Sequence, residues 1–170
     1  MRRVVPKRHP PPRVVLRNRA ADTLERMPRI LVLNGPNLGR LGSREPDVYG
    51  NQDLPALKAM LEAETETQID LRQTNDEAEL ISWLYEAVDT ATPVILNPAA
   101  FTHYSYALRD AAALVTKAGI PLIEVHISNP HAREEFRHTS VISAIATGVI
   151  AGFGFDSYLL ALSAILRRQS

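Results

Sequence analysis

Residues 30–37 read Ile-Leu-Val-Leu-Asn-Gly-Pro-Asn. Four apolar residues in an unbroken run are the pattern of a strand covered on both faces, and so of a parallel sheet. Asn34-Gly35-Pro36 then stops the strand, because proline lacks the N–H a ladder needs and glycine and asparagine favour turns. The connection runs on to Gly50, and residues 34–50 hold four glycines together with Arg40, Arg44 and Tyr49. Strand-to-helix connections in α/β units usually take about 2–6 residues, and much longer ones carry function or lack structure. The stretch reads either as a flexible surface loop or as an active-site lid bearing charge and a reactive tyrosine.

Outward from this stretch the chain alternates strand and helix. Asp53 and Pro55 open a helix through about Glu66, with Leu54, Leu57, Met60 and Leu61 on one face. Proline is tolerated there because the first-turn N–H is unpaired anyway. Residues 68–74 form a second strand, with Ile69 and Leu71 alternating with polar residues as on a less covered strand. Asp76 with Glu79 has the spacing of a capping box and starts a helix through Asp89, turning Leu80, Trp83, Leu84 and Val88 inward. Strands over 93–97, 121–127 and 146–152, helices over 104–117 and 155–168, and one or two helical turns over 132–137 complete the pattern. The prediction is an α/β fold: an open five-stranded parallel sheet with helices on both faces, in one domain over 29–170. In such sheets ligands bind at the carboxyl ends of the strands, where crossovers part to opposite faces. The strand ends at Asn34, Asn97 and Glu124-Val125-His126 therefore share one rim.

Composition narrows the function classes. Hydrophobic residues make up 45% and charged residues 22% of 170 residues, ordinary for a globular domain with a real core. No apolar run approaches the roughly 20 residues of a membrane span. The absence of cysteine removes disulfides and thiolate chemistry and fits a reducing cytoplasm. The formal charge of zero hides an asymmetry. Residues 1–28 carry eight basic and two acidic residues, leaving eleven and seventeen for residues 29–170. The folded part is therefore acidic, which argues against a nucleic-acid partner. The leader has four prolines before Arg13, no apolar centre of a secretory signal and no serine. It reads as a disordered basic, Pro-rich tail, with a nucleic-acid-binding arm as the alternative and Met27 as an alternative start. Residues 21–26 carry the pattern of a short helical turn.

On the rim, Glu124 and His126 point to one side of their strand while Ile123, Val125 and Ile127 point to the other. A carboxylate beside an imidazole orients the ring for general acid–base work, or forms a structural ion pair. Asn97 ends an apolar strand, and a small-residue turn leads to His103, which reads as a site residue or as a packing residue at a helix end. Arg133 and Arg137 stand four apart, spaced to bind an anion from one helical face or to solvate a surface beside Glu134 and Glu135. Metal ligation by Glu124, His126, His131 and His138 matches no zinc spacing. Gly35 to Gly39 lacks the Gly-Lys-Ser/Thr ending of a phosphate loop, and its glycines do not follow the dinucleotide fingerprint. The three lysines, Lys7, Lys58 and Lys117, lie away from every strand end, which argues against imine chemistry.

Five blocks, in order, resemble the type II 3-dehydroquinate dehydratases of the shikimate pathway. They are Asn34 to Gly42, Arg44 to Gly50, Asn97 to His103 with Leu108 to Asp110, Ile123 to Asn129 with His131 to Arg137, and Ala146 to Gly152. The leader departs from the family pattern. The resemblance implies a flavodoxin-like fold and dehydration of 3-dehydroquinate to 3-dehydroshikimate, an anti elimination through an enolate, with neither cofactor nor metal. It implies that Tyr49 removes the C2 proton and that Arg44 keeps it ionised. Holding a tyrosinate near neutral pH asks for about 4 kcal/mol, and one arginine at about 4 Å supplies roughly that at an effective dielectric near 20. By the same resemblance His126, held by Glu124, protonates the departing hydroxyl, and Asn37 holds a water against the enolate. Asn97 and the backbone N–H groups of Ile127 and Ser128 bind the substrate carboxylate, His103 and Arg137 bind ring hydroxyls, and Arg133 supports the lid. Asp110 reaches a neighbouring subunit's site, since the family forms trimers assembled into dodecamers. The rival reading is a non-catalytic flavodoxin-like ligand-binding module, which would have no acid–base pair on its rim.

Overall fold

A computed structural model of the chain describes residues 29–41 and 53–169. The leader at 1–28 and the lid residues Arg44 and Tyr49 lie outside the described residues. Among the described residues five strands, β1 (Arg29–Asn34), β2 (Gln68–Gln73), β3 (Val94–Asn97), β4 (Leu122–His126) and β5 (Gly148–Ala151), form one parallel sheet in the order β2-β1-β3-β4-β5. Four α-helices among the same residues cover it: α1 (Leu54–Glu62), α2 (Glu77–Asp89), α3 (Tyr106–Lys117) and α4 (Asp156–Gln169). The predicted α/β class, strand count and parallel sense are all observed. Among the described residues no helix is long and apolar enough to cross a membrane.

The continuous apolar run of β1 is explained by its position in the sheet interior. Ile30 and Val32 face one side with Ile123 and Val125, under Leu57 and Leu61 of α1 and Ala161, Leu162 and Ile165 of α4. Leu31 and Leu33 face the other, under Leu80 and Leu84 of α2 and Leu108, Ala112 and Val115 of α3. Each fully buried Leu or Ile side chain is worth about 1.5–3 kcal/mol in area removed from water, so both faces are held by helices and neither is left for solvent. At the sheet edge, β2 alternates as its sequence predicts. Its outward Asp70 and Arg72 join Glu86 of α2 and Arg29 of β1, with Arg72 to Asp70 and to Glu86 each at 2.6 Å and Arg29 to Glu86 at 2.8 Å. Charged side chains on an edge strand also discourage pairing with another chain.

Local boundaries differ from the sequence reading for identifiable reasons. Asp53 caps α1 by accepting from the N–H of Ala56 at 2.9 Å, but the helix ends at Glu62 rather than Glu66. Asp76 caps α2 through the N–H of Ala78, while its own N–H donates to Thr74 Oγ1, the place a reciprocal Glu79 contact would have taken. Residues 99–103 form a 3-10 turn, and α3 starts only after Ser105, whose hydroxyl accepts from Leu108 N–H at 2.9 Å. The turns expected over 132–137 are two separate 3-10 pieces, Pro130–Ala132 and Glu135–His138. Arg133 between them is extended, because Asn129 and Pro130 close the first turn after three residues.

The strand order places the divergence of crossovers between β1 and β3, whose last residues Asn34 and Asn97 are register partners. The loops leaving them touch: Gly35 N–H donates to Asn97 O at 2.8 Å. A Cβ on Gly35 would lie 2.5 Å from the carbonyl oxygen of Pro98, so glycine is required by close approach of two backbones. Gly35→Ala is expected to lower the unfolding free energy by about 1–3 kcal/mol, read as a fall in the urea midpoint; an unchanged midpoint would contradict this packing.

Candidate active site

The site grows from the carboxyl end of β4. Glu124 has no solvent exposure, and an ionised carboxylate in that position is tolerable only if its oxygens are paired. Oε1 accepts from Thr102 Oγ1 at 2.5 Å and from His126 Nε2 at 2.8 Å, and Oε2 accepts from Ser143 Oγ at 2.5 Å. Burial by itself would push this carboxyl up. The hydrogen bond and charge of His126, with the Ser143 and Thr102 hydroxyls, outweigh burial and hold it below the usual carboxylate range. Strand alternation accounts for the pair, because β4 turns Glu124 and His126 to the same side and sends Val125 into the opposite core.

Two histidines meet at this rim with opposite tautomers. A carboxylate can only accept, so His126 carries its proton on Nε2, and Nδ1 has no partner among the described residues. A backbone carbonyl can only accept, so His103 donates from Nδ1 to Thr139 O at 2.8 Å and keeps Nε2 for another partner. The His103 ring also stands edge-on to Phe136, centroids 5.7 Å apart, which fixes its plane.

Beside them the β1/β3 divergence is closed by a buried tyrosine from α4. Tyr158 donates its hydroxyl proton to Asn34 Oδ1 at 2.7 Å and accepts from Asn97 Nδ2 at 2.7 Å. Burial pushes the phenol up and keeps it neutral, so it serves as donor and acceptor at once. Asn97 Oδ1 takes the N–H of Ala99 at 3.1 Å, which leaves one amide hydrogen of Asn97 for a ligand. Two non-glycine residues of the cleft wall, Asn37 at φ 69° and Ala99 at φ 50°, are left-handed; asparagine accepts this readily and alanine does so at a cost.

Asn37, Asn97, His103, His126, Ile127, Ser128 and Arg137, predicted from sequence, all line a single cleft of about 170 Å³. Arg133 and Arg40 line it too. Arg133 and Arg137 both reach Glu134, at 3.5 and 2.7 Å, so one exposed carboxylate sets the spacing of the pair without a shared helix. Among the described lining residues three are arginines, two are histidines and none is acidic, so the cleft favours an anion. Glu124 lies behind it, screened by His126. Asp110 is elsewhere, on the exposed side of α3 beside Arg109 at 3.1 Å. Among the described residues no three His, Cys, Asp or Glu side chains cluster as metal ligands; His131 and His138 pack against each other with their rings tilted by 47° and centroids 5.6 Å apart. Sequence reading placed Asn34 on the rim but missed Tyr158, which bridges it to Asn97, and missed Thr102, Ser140 and Ser143 around Glu124. The signal available was modest: polar residues set among apolar ones at Thr139 to Ser143, and a tyrosine on the inward face of the last helix.

With this geometry in place, likeness to known proteins is informative. The family model for class II dehydroquinases matches residues 28–166. The 3-dehydroquinate dehydratase of Salinispora tropica is 55% identical over 143 residues, covering 82% of this chain and 98% of that protein. That of Bacillus licheniformis is 56% identical over 140 residues, covering 81% and 94%. The crystal structure of the type II dehydroquinase from Propionibacterium acnes superposes with a TM-score of 0.76 at 51% identity, covering 80% of this chain and 94% of that one.

The depressed Glu124 carboxyl has a stability consequence. A group lowered in the folded state stabilises fully above its ordinary value and loses that contribution as pH falls through its folded value. Glu124→Gln is expected to be less stable than the parent above about pH 4.5, the ordinary glutamate value. The gap should narrow as pH drops below it. Urea midpoints across pH 3 to 7 read this, and a gap that widens in acid would contradict an ionised Glu124.

Proposed function

The chain belongs to the class II dehydroquinase family, and from that premise we propose that it dehydrates 3-dehydroquinate to 3-dehydroshikimate, with residues 29–170 as its catalytic domain. The observation that carries the reading is the Glu124–His126 pair at the edge of a cationic cleft. A buried carboxylate accepts the Nε2–H hydrogen bond and leaves Nδ1 to serve a substrate, which is what a general acid requires. A non-catalytic binding module has no use for a histidine braced this way.

The mechanism we infer is a stepwise anti elimination. Tyr49, ionised beside Arg44, removes the proton on C2 of the substrate, and the electron pair moves into the ring carbonyl to give an enolate. Asn37 orients a water that donates to the enolate oxygen. The enolate then collapses, the C1–O bond breaks, and imidazolium His126 gives its Nδ1 proton to the departing hydroxyl, which leaves as water. Tyr49 ends protonated and His126 neutral, and proton return from one to the other through solvent resets the site. Glu124 stabilises the imidazolium without taking its proton, as its donors allow.

Binding follows the charge of the cleft. The remaining amide hydrogen of Asn97 and the backbone N–H groups of Ile127 and Ser128 hold the carboxylate, as hydrogen bonds to an anion are the strong ones. His103, through Nε2, and Arg137 bind ring hydroxyls, and Arg133 supports the lid. Asp110, which does not line its own cleft, serves the site of a neighbouring copy in a trimer-based dodecamer. The enzyme works in the cytoplasm without a cofactor.

Addition of 3-dehydroquinate to the purified oligomer, with chelator and borohydride present, is expected to raise the ultraviolet absorbance of a conjugated enone. No rise from correctly assembled protein would sink the dehydratase reading. Tyr49→Phe is expected to fold normally and to lose about 10²- to 10⁴-fold in kcat, the usual worth of a positioned base; parental rates would exclude that tyrosine.

A further inference from the structure

The segment Thr139 to Ser143 places no side chain in the cleft, yet it is bonded to His103 directly and to the carboxylate that holds His126. Thr139 O holds His103 Nδ1. Ser143 Oγ donates to Glu124 Oε2. Ser140 Oγ accepts the N–H groups of Ile142 at 3.1 Å and Ser143 at 2.9 Å. With both lone pairs taken, its own proton must donate, and its shortest acceptor is Thr102 Oγ1 at 2.7 Å. Thr102 in turn donates to Glu124 Oε1 at 2.5 Å. The bonds thus run in one direction, from backbone N–H through Ser140 and Thr102 to the carboxylate, and His126 closes on the same oxygen from the other side. The segment is itself anchored, by Val141 N–H to Thr102 O at 2.8 Å and by fully buried Ile142.

We propose that Ser140 and Ser143 are positioning residues, and that this one segment sets the tautomer of both site histidines. The proposal rests on the dehydratase reading only for its kinetic test. Aligned donors polarise one another and hold Glu124 as a pure acceptor, so His126 presents Nδ1. The carbonyl two residues before Val141 meanwhile makes His103 present Nε2. Of the groups facing the Glu124 carboxylate, His126 is the ionisable one. Thr102, Ser140 and Ser143 are neutral hydroxyls, and the strand neighbours Leu96 and Val149 are apolar. Beyond His126 the cleft adds His103, Arg40, Arg133 and Arg137.

Ser143→Ala removes one hydroxyl with no backbone role, and is the decisive variant. Its kcat should fall about tenfold, the scale of one lost bond to a charged group, with KM little changed. Ser143→Thr should restore the rate. A parental kcat in Ser143→Ala would overturn the proposal. Imidazole nitrogen NMR gives a reading independent of turnover: Ser143→Ala should move the His126 signals and spare His103, whereas Ser140→Ala should move both. Unmoved signals in both variants would overturn it even if the wild type proved inactive as a dehydratase, an outcome that would by itself refute only the activity.

Discussion

A negative charge with no exposure to water is the constraint on which the functional end of this molecule depends. Leaving the Glu124 carboxylate unpaired would cost several kcal/mol, a large share of a domain's total stability. Three separate parts of the chain meet that demand: the 3-10 turn after β3 sends Thr102, the segment before β5 sends Ser143, and β4 itself sends His126. Because those donors must converge on two oxygens, the loops that carry them have little freedom. The order of the rim is a consequence of burying one acid.

A second constraint acts at the divergence of β1 and β3. Asn34 and Asn97 end neighbouring strands side by side, and both are buried. Asn34 Oδ1 and one N–H of Asn97 would lose their partner at the top of an apolar core if Tyr158 did not reach between them from α4. The last helix of the chain, more than a hundred residues from Asn34, thereby fixes the first loop. Gly35 then lets the loop after β1 settle against Pro98. One polar bridge and one missing side chain thus give the cleft a firm floor, while the anion-seeking arginines stand on its outer wall.

The fold was largely legible because its signals are periodic. The unbroken apolar run at Ile30 to Leu33, the alternation in β2 and the helix starts at Asp53 and Asp76 are local patterns whose cause is local, and the structure keeps each of them. The cleft was legible at the strand ends, as with Asn97 and His126 on its wall and Glu124 behind them. It was less legible where a side chain acts across the sequence. Thr102, Ser140 and Ser143 are ordinary hydroxyl residues until the fold brings them to one carboxylate, 22, 16 and 19 residues away. Tyr158 has the spacing of a core residue and is one; only its hydroxyl, bonded to two asparagines, shows the second role. Arg133 and Arg137 both line the cleft, held through Glu134 and two short turns instead of the single helical face their spacing suggested.

Neutron diffraction from deuterium-exchanged crystals near neutral pH tests the central claim most directly, since it locates the protons themselves. The account predicts a bare Glu124 carboxylate, with deuterons on His126 Nε2, Thr102 Oγ1 and Ser143 Oγ all directed at it. A deuteron on Glu124, or a bare Nε2 on His126, would contradict it.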